Sequence, residues 1–196
     1  RRARLAGQMP PGAVAVLLTA PEVARNGDSH YPYRHDSHFY YLTGFSEPES
    51  ALVLVAASGA QPARAILFCR EKRPEREIWD GFRHGPEAAR AAFGFDEAWP
   101  IGELDARMAD ILANAPALVC ALGRDAALDA RVRGWFDTLR ARSRTGVTAP
   151  DTMIDLTALL DEMRLLKDEH EAALMARAGA ISAQAHVRAM RAVRPG

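Results

Sequence analysis

Ala51-Leu52-Val53-Leu54-Val55, the linker Ala57-Ser58-Gly59-Ala60-Gln61-Pro62, and Ala65-Ile66-Leu67-Phe68-Cys69 together decide the fold. Both flanking runs are apolar at every position, so both faces of each must be covered. Such runs belong to a sheet with helices on its two sides. The linker is short and carries glycine and proline, which suits a hairpin. Val14-Ala15-Val16-Leu17-Leu18 and Ala117-Leu118-Val119-Cys120-Ala121-Leu122 repeat the pattern and supply two more interior strands.

Helical spacing fills the intervals. Pro86 opens a short helix through Phe93, because proline suits a first helical turn. Leu104, Met108, Ile111 and Leu112 share one face within 102–114, as do Leu128, Val132, Trp135, Phe136 and Leu139 within 124–142. Arg1 to Met9 is expected to be an exposed helical tail ended by Pro10-Pro11-Gly12. Phe39-Tyr40-Tyr41-Leu42 is expected as a further strand. The fold class is therefore α/β, a mixed sheet with helices on both faces.

The character changes near Pro150. Leu156, Leu159, Leu160, Met163 and Leu166 stripe one helix, and Asp168 with Glu171 three residues on forms a capping-box variant that starts another. That last helix shows an alanine-rich stripe with no packing partner in this sequence. We expect residues 1–166 to form one domain and 167–196 to be the first helix of a second. Arg194-Pro195-Gly196 is expected to mark a truncation.

Composition narrows the function. The 196 residues hold 25 basic and 25 acidic side chains, so no overall field favours nucleic acid or an anionic membrane. No apolar stretch approaches the ~20 residues that span a bilayer, and the first residues are not expected to act as a signal peptide. Cys69 and Cys120 each lie in an apolar strand. They are read as buried free thiols in a reducing cytoplasm, with a disulfide as the alternative.

Three constellations could carry chemistry. Asp28, His30, His35, Asp36 and His38 are dense enough to suggest a metal, but their spacing matches no ligand motif, and a polar loop explains them as well. Nucleophile elbows and phosphate-binding glycine loops are absent from the sequence. Asp161-Glu162 and Asp168-Glu169 are neighbours in helical sequence, so they do not face one another. Glu77 to Gly85 joins a tryptophan, two glycines and an arginine in a stretch too irregular for a helix or strand core. It reads either as a binding loop or as a core anchored by Trp79.

Asp28-Ser29-His30-Tyr31-Pro32-Tyr33-Arg34, Phe39 to Phe45 with Glu47-Pro48-Glu49, and Ile78 to Gly85 resemble the N-terminal domain of the bacterial aminopeptidase P family, the Xaa-Pro aminopeptidases. The match continues through Thr148 to Asp155, Glu162 to Lys167 and Arg177 to His186, in the family's order. His30, His35 and His38 depart from the family's pattern, which counts further against a metal cluster.

The resemblance implies a creatinase-like N-terminal domain followed by the first helix of a pita-bread catalytic domain. It implies removal of the N-terminal residue from Xaa-Pro peptides by two divalent metals, commonly manganese. Their ligands would lie downstream, so no catalytic residue, metal ligand or cofactor is assigned to this chain. It further implies a cytoplasmic homo-oligomer in which this domain reaches a neighbouring subunit's pocket. Trp79 would wall that pocket, while Asp28 and Arg144 either shape or close its polar edge as a charge-assisted pair or only hold loops together. The competing readings are a non-catalytic peptidase-like binding module and a prolidase or creatinase relative.

Overall fold

In the computed structural model, which describes residues 1–194, Val14–Leu18 (β1), Ala51–Val55 (β2) and Arg64–Cys69 (β3) form the expected antiparallel centre. Pro195 and Gly196, part of the expected truncation mark, lie outside the described residues. Ser58 and Gln61 exchange backbone hydrogen bonds of 3.0 and 2.9 Å and close the β2–β3 hairpin. Parallel strands extend the centre: Glu97–Pro100 (β4) beside β3, Ala117–Cys120 (β5) beside β1, and Thr152–Asp155 (β6) beside β5. The order is β4-β3-β2-β1-β5-β6.

Eight α-helices are present among the described residues: Arg2–Ala6 (α1), Ser37–Thr43 (α2), Pro74–Asp80 (α3), Pro86–Phe93 (α4), Leu104–Leu112 (α5), Ala126–Ala141 (α6), Leu156–Leu165 (α7) and Glu169–Ala192 (α8). Strand pairing sets Val16 opposite Val53 and Val53 opposite Ile66, so these side chains share one face. On that face Leu104, Met108 and Leu112 of α5 pack with Leu128, Val132 and Leu139 of α6. Removing one of these leucines to alanine costs about 2–5 kcal/mol. Trp135 joins the two helices by donating its indole N–H to Asp105 at 2.9 Å. Leu54 and Ala65 point to the opposite face, where they line a hollow with residues of α1, α2 and α4. Helices therefore cover both faces of the sheet.

Three expectations require correction. The N-terminal segment is no exposed tail, because Leu5 is fully buried and Met9 nearly so. Phe39 to Leu42 is helical, not a strand. Asp36 caps α2 by accepting from the Phe39 N–H at 2.8 Å, and Gly44 closes it in the left-handed conformation. These two caps outweigh the strand preference of the aromatic residues. The stretch around Trp79 is not wholly irregular either, since α3 runs through Asp80 before the turn begins.

The chain divides into two compact units, Arg1–Leu159 and a second beginning at Leu160. In the second, Asp168 and Glu171 form the full capping box at the start of α8. Leu174, Met175, Ile181 and Met190 on α8 are all exposed.

Candidate functional site

Trp79 sits in the last turn of α3 and is 82 % exposed. Ile78 and Phe82 beside it are exposed as well. A large apolar cluster facing solvent loses the hydrophobic gain of burial, so something must hold it there. In this chain Trp79 is not a core anchor.

What holds it is a set of polar ties beneath the turn. Glu77 accepts from the Lys72 ammonium at 2.6 Å and from the Arg83 backbone N–H at 2.7 Å. The hydrogen bond from Lys72 is the main reason its carboxyl is held below the usual range, with the Arg83 N–H second. The Arg83 guanidinium donates to Asp80, and that bond holds the Asp80 carboxyl low in the same way. Lys72 also donates to the Arg83 carbonyl at 2.9 Å and lies over the Phe82 ring. Gly85, with φ of +73°, ends the turn. A Cβ there would meet Lys72 Cβ at 2.8 Å, so glycine is required both by conformation and by space.

A second tie reaches across the fold. Glu47, from the loop after α2, is nearly buried and accepts from the His84 backbone N–H at 2.8 Å and from His84 Nδ1 at 2.6 Å. Its other oxygen faces the buried Arg70 guanidinium at 3.6 Å. The His84 ring packs among Phe45, Phe82 and Phe93. Sequence reading missed Glu47, Arg70 and His84 as supports of the turn. Glu47 stood inside a quoted block, but its partner is 37 residues away.

Asp28 lies in the loop that leaves the C-terminal end of β1. Tyr33 fastens this loop through its hydroxyl, hydrogen-bonded to Thr19 at 2.8 Å and to the Ala20 carbonyl at 3.1 Å. β3 runs parallel to β1, so α3 and Trp79 emerge from the same end of the sheet, that of the strands' C-termini. Arg144 occupies the short turn Ser143–Thr145 after α6. That segment returns to the opposite end of the strands, where Asn114 and Thr148 are joined by hydrogen bonds of 2.9 Å. No hydrogen bond, ion pair or ring contact joins any two of Asp28, Trp79 and Arg144 among the described residues. Within one chain the expected Asp28–Arg144 pair is not formed, because the topology separates them.

The histidine-rich loop has other work. Asp36 caps α2, and the His35 ring stacks on Tyr40 with centroids 4.2 Å apart. No group of three or more His, Cys, Asp or Glu side chains among the described residues is placed to hold a metal ion. Cys69 and Cys120 are buried and unpaired, not joined in a disulfide.

Residues 1–120 match the family model of the aminopeptidase P N-terminal domain. The chain belongs to that family. The Xaa-Pro aminopeptidase of Escherichia coli K12 is 42% identical over 196 residues, which is all of this chain and 44% of that protein. The Haemophilus influenzae Xaa-Pro aminopeptidase is 37% identical over 195 residues, covering 100% of this chain and 42% of its own length. The structure of zinc-substituted E. coli aminopeptidase P in complex with product superimposes with a TM-score of 0.95 at 42% identity, over 100% of this chain and 44% of that one. This chain thus spans less than half the length of these relatives.

For an aminopeptidase P N-terminal domain, the donor set does not fit the metal centre that the family resemblance implies. Asp36, Glu47, Glu77, Asp80 and the rings of His35 and His84 are spent on a helix cap, ring stacking and the ties under α3. No step of metal chemistry is derived for its residues. What the arrangement offers instead is an exposed indole on a turn fastened by ion pairs and hydrogen bonds.

Proposed function

We propose that this chain is the N-terminal, substrate-gating part of a metal-dependent Xaa-Pro aminopeptidase that works as a homo-oligomer. Trp79 walls the pocket of a neighbouring subunit, where its flat face suits the proline ring of a peptide substrate. Asp28 and Arg144 shape the polar edge of that pocket. Since they lie at opposite ends of the strands, we assign them to it from different subunits. The segment from residue 167 onward belongs to the catalytic domain, which opens with α8 (Glu169–Ala192) and whose packing covers the apolar side chains of that helix. The metal ions, manganese on the family resemblance, and the bond-breaking step are assigned to that domain. Two buried free thiols support a cytoplasmic setting. Among the described residues no helix is long and apolar enough to cross a membrane.

The observation that carries this reading is the 82 % exposure of Trp79 above two independent sets of polar ties. Such support is expected where a binding side chain must be held still. The test compares the purified 1–196 chain with the longer protein, both supplied with manganese and a Xaa-Pro peptide. Release of the N-terminal residue is expected only from the longer protein. Turnover by the 1–196 chain, or none by the longer protein, overturns the assignment.

A further inference from the structure

Arg70 presents an unsolved local problem. It is 6 % exposed, yet among the described residues its ion pair with Glu47 spans 3.6 Å, too far for a hydrogen bond, and Asp80 acts on it through charge alone. Arg83 is 8 % exposed, and its Nε also lacks an acceptor, as does the Nε of Arg70. A guanidinium carries five donors, and leaving them unmet in a buried setting is costly. Both side chains line one open groove of about 580 Å³ between the end of β3 and the turn at Ile101 to Glu103, with Arg73 and Arg76 further along the wall.

We propose that this groove is a binding site for a single carboxylate, the free C-terminus or an acidic side chain of a peptide, received by Arg70 and Arg83. A planar carboxylate offers two oxygens to a guanidinium fork; here Arg83 already donates to Asp80, so Arg70 is the main receiver. The neighbouring acids argue against a more highly charged ligand. Glu71 is paired with Arg73, and Glu103 with Arg107, so both are partly offset. Glu49, at the rim with φ of +50°, has no partner among the described residues and repels any anion. A monoanion meets half the repulsion that a phosphate dianion does. The site is separate from the exposed face of Trp79 and does not depend on the role given to that residue.

Arginine Nε–H resonances of the ¹⁵N-labelled chain read the site directly, at constant ionic strength set by sodium chloride. Sodium acetate and triglycine are expected to shift the Arg70 and Arg83 signals saturably, with triglycine amide and inorganic phosphate weaker. N-acetyl-aspartate amide acting where triglycine fails places the natural carboxylate on a side chain; the reverse places it at a C-terminus. Arg70→Met should abolish the response at Arg83. Because that variant strips Glu47 of its ion-pair partner and can fail to fold, Glu49→Gln provides a second arm. It should tighten acetate binding by about two- to fivefold, the effect of one like charge ~4–8 Å away in water. Signals that follow chloride as closely as acetate, a stronger response to phosphate than to acetate, or no tightening in Glu49→Gln would each overturn the proposal.

Discussion

Glu47 accepts two hydrogen bonds from His84, one from the backbone N–H at 2.8 Å and one from ring Nδ1 at 2.6 Å. The same carboxylate faces Arg70, so a single buried side chain ties the loop after α2, the end of β3 and the turn below Trp79. Removing it strands a buried guanidinium. We expect Glu47→Ala to lose about 3–5 kcal/mol in chemical denaturation, the range for breaking a buried pair from one side. Glu47→Gln keeps an acceptor for the His84 N–H and should lose less. Equal losses would show that the charge contributes nothing.

Gly85→Ala tests the turn from its backbone. The φ of +73° and the 2.8 Å approach to Lys72 Cβ leave no room for a methyl group. A loss of about 1–3 kcal/mol is expected, the cost of a side chain forced into a region that is nearly glycine-only. Hydrogen exchange at the Arg83 amide should accelerate alongside. A variant as stable as the parent would contradict the close contact.

Cys69 gives a pH signature. Burial is the main cause that pushes its thiol from 9.0 up to about 12, with the Glu47 charge adding and Arg70 opposing. Cys120 rises to about 11, again chiefly by burial. The unfolded chain releases these protons near its ordinary thiol pKa, while the folded chain keeps them. Their contribution is therefore complete below pH ~9 and is lost as pH rises toward the folded values. Denaturation midpoints should fall between pH 9 and 11, and less steeply in Cys69→Ala. A flat profile would contradict the burial.

Much of this architecture is legible in sequence, for a physical reason. β1, β2, β3 and β5 are buried on both faces and so appear as unbroken apolar runs. β4 and β6 have no such run. β4 is only partly buried, and β6 is largely exposed, so their pairing is decided by neighbours and not by their own residues. At α2 the signal was present in Asp36 and Gly44, but three aromatic residues suggested a strand instead. Trp79 was visible as part of a local block. The ties that hold it were not, because Glu47, Arg70 and His84 meet only in three dimensions.

Asp168→Ala isolates the capping box of α8, where Glu171 N–H donates to the Asp168 carboxylate at 2.8 Å and Asp168 N–H to Glu171 at 3.0 Å. Loss of this cap should cost about 1 kcal/mol of helix stability. Circular dichroism should show reduced helicity in the 1–196 chain. Unchanged helicity would mean that other forces hold the helix start.

Trp79→Ala bears most directly on the central claim. At 82 % exposure the side chain contributes little to folding, so the thermal midpoint of the variant should match the parent. In the longer protein, kcat/KM for a Xaa-Pro peptide should fall by about tenfold or more, corresponding to ~1.4 kcal/mol or more of lost transition-state binding. An unchanged kcat/KM in a normally folded and assembled variant would contradict the assignment of Trp79 to the substrate pocket.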